Sequence, residues 1–307
     1  MISKNRIHPV LAIGFGVAIG AIGCGSSDDG GTGGSGGSGG TDAETLRILV
    51  TNDDGVGAPG IDALVQALVA DPNNEVIVSA PASNSSGSGD TTIADDPPPD
   101  CAGGTGEGTP AAMESGYDTN VWSVDGCPAD SVIYGLENLY PNEPPHVVLS
   151  GINEGQNVGD VSGALSQLSG TVGAAKTAAC LGVPALASSQ GDPADNLDPA
   201  NWDYASGVVE VLRWLEANRS ALAEGTVGLE NITSINIPTC DTGMIRGQAE
   251  VPLGTEIPDY VSGLLDEQDC ESTLEDPQDD IEAFFNGFVS ITPVPSNSSG
   301  TCDNLGN

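Results

Sequence analysis

The feature that most narrows the folds open to this chain is a near-continuous apolar run that ends in paired acids. Leu46 to Thr51 runs without turn residues and stops at Asn52-Asp53-Asp54-Gly55, after which Ile61, Leu64, Val65 and Leu68 recur at i, i+3, i+4 and i+7. A short apolar run without polar alternation is the pattern of a strand buried on both faces, and the stripe after it is one face of a helix. The unit returns along the chain. Strands are predicted at Glu75 to Ala80, His146 to Ser150, Pro184 to Ser189, Ser234 to Ile237 and Phe288 to Thr292. Helices are predicted at Ala129 to Leu139, 169 to 181 and Trp202 to Asn218. Alternation of this kind predicts an α/β fold, a mostly parallel sheet with helices on both faces in a three-layer sandwich. Residues 90 to 118 and 239 to 280, rich in acid and in Pro or Gly, read as surface excursions.

Charge removes one class of function. The 307 residues hold 44 Asp and Glu against 7 Lys and Arg, a formal net charge of −37. Affinity for a nucleic-acid duplex comes largely from basic side chains neutralising phosphates, so duplex binding is excluded as a role. The N-terminus has the pattern of an export signal: Lys4 and Arg6, then an apolar run from Val10 to Ile22, too short for a confident span, then small residues before Cys24. Residues 25–44, dominated by Gly, Ser and Asp, cannot bury enough apolar surface to fold and read as a flexible tether of about 25 Å r.m.s. reach. The domain expected to fold is 45–307. Beyond Cys24 lie six cysteines, Cys101, Cys127, Cys180, Cys240, Cys270 and Cys302, an even set that suits up to three disulfides in an oxidising compartment, with the fifteen pairings open.

In open α/β sheets ligands bind at the carboxyl ends of strands, so the residues just after strands carry the functional signal. Asp53 and Asp54 follow the first strand; adjacent like charges there suggest a hard cation, although an Asp that merely caps the next helix would look the same. Gly55-Val56-Gly57-Ala58-Pro59-Gly60 spells the dinucleotide fingerprint. Two carboxylates ahead of it would repel a pyrophosphate, and the second strand ends in Ser79-Ala80 without a ribose-binding acid, so a dinucleotide is not expected. Hydroxyls and amides follow the second strand at Ser83 to Ser88 and the third at Ser150 to Asn157. Ser169-Gly170-Thr171 opens a helix whose free N–H groups and positive dipole end suit a phosphate.

These segments carry a family resemblance. RILVTNDDGVGAPGI (47–61), the AP…N-S-SG loop (80–87), PADSVIYGL (128–136), VVLSGINEGQNVG (147–159), SGTVGAAKTAACLGVPALASS (169–189), SINIP (234–238) and GFVSITP (287–293) occur in the order found in the SurE family of survival-protein nucleotidases. The sequence around Cys24 likewise resembles a bacterial lipobox, which implies lipidation of Cys24 and a membrane contact through that anchor only. The SurE resemblance implies a Rossmann-like fold and a metal-dependent 5′/3′-nucleotidase or acid phosphatase, with nucleoside monophosphates or similar phosphomonoesters as substrates. It implies metal ligands at Asp53, Asp54, Ser86 and Asn153, with Asp53 or Asp54 orienting the nucleophile. Phosphate or substrate contacts are implied at Asn52, Gly87, Asn157, Ser169, Gly170 and Thr171. Carboxylates with hydroxyl and amide oxygens suit Mg²⁺ or Mn²⁺, with Ca²⁺ as a further option. The loop after the second strand reads Ala82-Ser83-Asn84-Ser85 where the family usually carries arginine. Lys176, in the helix after Ser169, is read as a solvated lysine, with replacement of the missing phosphate-steering charge as its second reading, and His146 as structural. A homodimer is left open. The second reading is a SurE-like surface binding module with weak or no catalysis.

Overall fold

The computed structural model describes residues 44–95, 101, 103–195, 201–259, 261 and 268–305. The export signal with Cys24, nearly all of the tether, and Pro97 to Pro99 lie outside the described residues. The described chain builds one nine-stranded sheet in the order β3-β4-β2-β1-β5-β6-β7-β9-β8. The strands are β1 (Leu46–Thr51), β2 (Asn74–Pro81), β3 (Gly108–Pro110), β4 (Val121–Val124), β5 (Val147–Glu154), β6 (Ala185–Gln190), β7 (Asn231–Ile237), β8 (Gln248–Glu250) and β9 (Val289–Pro295). All neighbours pair in parallel except β3 with β4 and β7 with β9. The α/β sandwich expected from the sequence is therefore present.

Strand alternation sorts the two helical layers. Ile48 and Val50 pack in one core with Ile61, Leu64 and Leu68 of α1 (Pro59–Val69) and Val211 and Leu215 of α5 (Tyr204–Ala223). Leu49 and Val148 face the other core, with Val132 of α2 (Pro128–Tyr134) and Val172, Ala175 and Ala178 of α4 (Gly170–Cys180). Both faces of the central strands are thus covered, which is why β1 lacks polar alternation. Between α2 and the following strand a π-helical turn spans Gly135–Leu139; α3 (Ala164–Leu168), α6 (Asp280–Phe285) and α7 (Thr301–Asn304) are short. Among the described residues no helix is long and apolar enough to cross a membrane.

Several boundaries differ from those read in the sequence. The third predicted strand continues through Ser150-Gly151-Ile152-Asn153 to Glu154, with a register shift against β6 between Ser150 and Asn153. Its polar letters resemble a loop, but Gly151 and Ile152 are buried inside the sheet. The excursion at 90–118 contains β3 and is tied down by Cys101–Cys127, with Cα atoms 5.2 Å apart. The acidic stretch at 239–280 contains β8 and is tied by Cys240–Cys270 at 5.7 Å. The third pair, Cys180–Cys302 at 4.9 Å, joins the end of α4 to α7. All three separations suit a disulfide.

Lys176 overturns its reading as a solvated lysine. It is 0% exposed, and its ammonium donates to Asp90 Oδ2 at 3.1 Å and to the Ser298 carbonyl at 2.6 Å. Helical position alone does not reveal that the C-terminal segment covers this face of α4.

Asp280 is a second buried charge, 1% exposed, whose carboxylate accepts from Gly159 N–H at 2.8 Å and Gly254 N–H at 2.6 Å. Burial pushes its pKa up from the ordinary 3.8 to about 6, with the Asp279 charge adding to the rise and the N–H donors opposing it. A raised carboxyl pKa means that the folded state holds the proton more tightly. Its contribution is full below pH about 4 and is lost as pH climbs through about 6, on the order of 3 kcal/mol. Asp280→Asn offers one acceptor oxygen for two donors and never ionises. Its unfolding free energy in denaturant titrations should start below wild type at pH 4, with the two curves converging by pH 7. Parallel curves would refute this.

Candidate active site

The chain runs outward from β1 through β2 to β4 and then returns to β5 on the opposite side of β1. The crevice between β1 and β5 is therefore the topological switch point, where ligands of such sheets bind. Asp53 and Asp54 leave β1 there. Their turn is shaped by Asn52, whose side chain donates to the Gly55 carbonyl at 2.9 Å and accepts from Gly55 N–H at 3.2 Å. Gly55 takes φ +103°, a left-handed conformation that favours glycine. Asn52 is thereby committed to the turn, a role different from the substrate contact implied for it.

The two acids turn to different walls. Asp53, 3% exposed, accepts from the Thr171 hydroxyl at 2.5 Å. Burial drives its pKa up, against the pull of the Thr171 hydroxyl and amide and the Ser86 hydroxyl beside it. Ser169 caps α4 by accepting from Val172 N–H at 3.1 Å, which aims the start of that helix at Asp53. Gly170 permits the approach, since a β-carbon there would lie 2.7 Å from Asp53 Cβ. Thr171 thus holds a carboxylate at the helix N-terminus, where the resemblance had implied a phosphate contact.

Asp54 leans towards β5. Its Oδ2 accepts from Glu154 N–H at 3.0 Å and its Oδ1 from Asn84 Nδ2 at 3.2 Å. Burial, then the charge of Asp53, pushes its pKa up to about 7. Asn153, next to Glu154 and buried, donates Nδ2 to the Gly155 carbonyl at 2.7 Å, leaving its Oδ1 without a hydrogen-bond donor among the described residues. Asp53, Asp54, Ser86 and Asn153 therefore gather at one rim, from the turn after β1, the loop after β2 and the end of β5. Gly87 sits at the exposed tip of the Ser86 loop at φ +88°. Asn157 is drawn aside: its Nδ2 donates to Ser189 Oγ at 2.9 Å and its N–H to Asn236 Oδ1 at 2.6 Å.

No basic side chain reaches this rim among the described residues. Arg47 pairs with Glu143, Lys176 with Asp90, Arg213 with Glu210, and Arg219 with Asp71 and Glu216. Arg246 bonds the Asn286 carbonyl and lies 4.4 Å over the Phe288 ring. Nor do three or more His, Cys, Asp or Glu side chains gather as a metal cage among the described residues. The available donor set is two carboxylates with neutral oxygens, which fits a hard, partly hydrated divalent cation.

The sequence reading missed two groups. Asp192 follows β6, a strand end to which the same rule applies as to β1, β2 and β5. Tyr204, at the start of α5, packs its ring against Gly60 and stacks on Trp202 with centroids 5.9 Å apart. Burial raises the Tyr204 pKa, and the charges of Glu154, Asp54 and Asp192 raise it further.

The family model described as survival protein SurE matches residues 48–257. The chain belongs to the SurE family. A protein named 5′-nucleotidase SurE from Paramagnetospirillum magneticum is 32% identical over 268 residues, covering 82% of this chain and 91% of that protein. Another of that name, from Methylocella silvestris, is 34% identical over 270 residues, covering 81% and 93%. A SurE protein of known crystal structure, from Aquifex aeolicus, superposes with a TM-score of 0.58 at 25% identity, covering 81% and 93%. The SurE match spans all four rim residues and the turn, loop and helix that carry them.

Proposed function

We propose that this SurE-family chain is a divalent-metal-dependent phosphomonoesterase acting on nucleoside monophosphates or similar small phosphate esters. One observation carries the reading: the buried carboxylate of Asp53, the half-buried one of Asp54 and two neutral oxygens meet at the switch point with no basic side chain near them among the described residues. An anionic ester approaching that rim needs a counter-charge that the protein does not supply. Asp53, Asp54, Ser86 and Asn153 would hold a Mg²⁺, Mn²⁺ or Ca²⁺ ion. When bound, such a cation polarises a phosphoryl oxygen and acidifies a coordinated water. The protein's part is orientation. Thr171 and Ser86 fix the Asp53 carboxylate, Glu154 N–H fixes that of Asp54, and the Asn153 side chain is turned by its bond to Gly155 so that Oδ1 stays available. The names of the relatives support a nucleotidase.

Export and lipid anchoring are the second part of the proposal, supported by the N-terminal pattern ending at Cys24 and by six cysteines whose pairwise separations suit disulfides. A binding module without turnover is the second reading, favoured by the acidic wall around Asp54, since an anionic rim repels anionic esters.

Phosphate release from a panel of monoesters separates the two. Activity abolished by EDTA and restored by Mn²⁺ or Mg²⁺ is expected. Cation binding detected by calorimetry with no release from any ester would favour the module.

A further inference from the structure

The loop that carries Ser86 is held at two places of different kind. Its leading half is bonded to the acids themselves. Ser85 N–H donates to the Asp53 carbonyl at 2.7 Å, and Asn84 donates Nδ2 to Asp54 Oδ1 while its own Oδ1 accepts from Ser86 N–H at 2.9 Å. The trailing half turns into the fold. Ser88 is 3% exposed, Gly89 N–H donates to the Leu168 carbonyl at 3.3 Å, and a β-carbon on Gly173 of α4 would lie 2.0 Å from the Gly89 carbonyl oxygen. Asp90 ends this buried stretch. Its carboxylate accepts from Lys176 of α4 and from the Thr301 hydroxyl of α7, and Lys176 also donates to the Ser298 carbonyl. The seat of Ser86 therefore depends on a segment that lies more than two hundred positions further along the chain.

That segment is fastened next to Thr301. Cys302 bonds to Cys180 at the end of α4, and its N–H donates to Asn297 Oδ1 at 2.9 Å. The bond spans 122 residues, against 26 and 30 for the other two, so opening it returns the most freedom to the chain. Cys180 and Cys302 are both half-buried, whereas each of the other pairs has one buried member, Cys127 or Cys270. Thiol–disulfide exchange requires a thiolate to reach a sulfur, which makes Cys180–Cys302 the bond open to attack from either side.

We propose that the Cys180–Cys302 disulfide is a redox switch on the rim, acting through Asp90 as the positioning residue of the Ser86 loop. It rests on the phosphomonoesterase reading, of which it is the regulation. A dithiol opens the bond: the S–S bond breaks, the two sulfurs gain two electrons and two protons as thiols, and the dithiol closes to its own disulfide. Thr301 and Ser298 then leave Asp90 and Lys176, the trailing half of the loop loosens, and Ser86 is no longer held beside Asp53. An oxidising compartment reverses the step, so the rim is completed where the bond can form.

The test uses the full chain, adenosine 5′-monophosphate and a Mg²⁺ titration, before and after treatment with dithiothreitol, with the reduced cysteines identified by alkylation and mass spectrometry. Groups that orient metal ligands are worth about 10- to 100-fold in metal affinity, so reduction of Cys180–Cys302 should raise the half-saturating Mg²⁺ concentration about tenfold and reoxidation should restore it. Turnover at saturating Mg²⁺ should change less. Cys180→Ser with Cys302→Ser should start at the high value and no longer respond. Thr301→Val, which leaves the disulfide in place, should shift the titration in the same direction. Hydrogen exchange at residues 85–91 should quicken on reduction. Should the double serine variant fail to fold, reduction and reoxidation of wild type decide the matter. An active wild type whose Mg²⁺ titration is unmoved with both thiols alkylated overturns the switch alone, and so does a loss of turnover that saturating Mg²⁺ does not recover. A wild type that in its oxidised form releases phosphate from no ester overturns the phosphomonoesterase reading and the switch with it.

Discussion

Asp53→Asn should reduce phosphate release by about 10³-fold while leaving the fold intact or firmer. The carboxylate is buried, accepts from Thr171, and faces Ser86, so it is an oxygen donor held in a place that disfavours charge. On the proposed reading, losing the carboxylate would weaken cation binding and remove the group that orients the nucleophile, contributions that together reach about 10² to 10⁴-fold in comparable sites. Stability should move the other way. Burial raises the Asp53 pKa, so ionisation at neutral pH opposes folding, and an isosteric amide removes that penalty while still accepting from Thr171. The expected pair of results is lost turnover with an unchanged or higher melting temperature in EDTA. Unaltered turnover would remove Asp53 from the chemistry, and a melting temperature several degrees lower would mean that the variant reports folding instead.

The second large effect is structural. Lys176→Met should cost about 3–5 kcal/mol of unfolding free energy, because removing one partner of a buried pair strands the other. Lys176 is wholly enclosed, and Asp90 also accepts from the Thr301 hydroxyl, so the interaction fastens three segments: the loop that carries Ser86, helix α4 and the C-terminal segment. The Cys180–Cys302 bond closes the same face. The double variant Lys176→Met with Asp90→Leu should recover much of the loss, since an apolar pair of similar volume often matches a buried ion pair. Denaturant titration of the three proteins decides it. A single-variant loss below about 1 kcal/mol would show that the ion pair is not a structural fastener.

The loop after β2 carries no arginine, and Lys176 in helix α4 is engaged with the fold. On the proposed reading, the cation and the backbone near α4 would carry the whole task of neutralising a phosphate. The dinucleotide-like spelling at Gly55 to Gly60 also receives a physical account. Gly55 is needed for its left-handed turn, and Gly60 for the close approach of α1 to Ile152 and Tyr204. The letters arise from strand-to-helix packing and imply no pyrophosphate.

The strands β1, β2, β5, β6, β7 and β9 and the helices α1, α2, α4 and α5 were legible because burial on both sides of a sheet and on one face of a helix leaves periodic apolar marks. Asp53 and Asp54 were legible for a related reason, since like charges side by side at a strand end are costly without a use. Local sequence could not show that β5 continues through Gly151 to Glu154, that Thr171 turns to Asp53, that Lys176 is buried under the C-terminal segment, or that Tyr204 packs beside Gly60. Each of these depends on contacts between residues far apart in the chain, and a side chain's partner and protonation are set by what the fold brings within a few ångströms. The sequence by itself determined the layers and the acidic rim; the tertiary structure alone decided which groups at that rim are engaged and which are left open to a ligand.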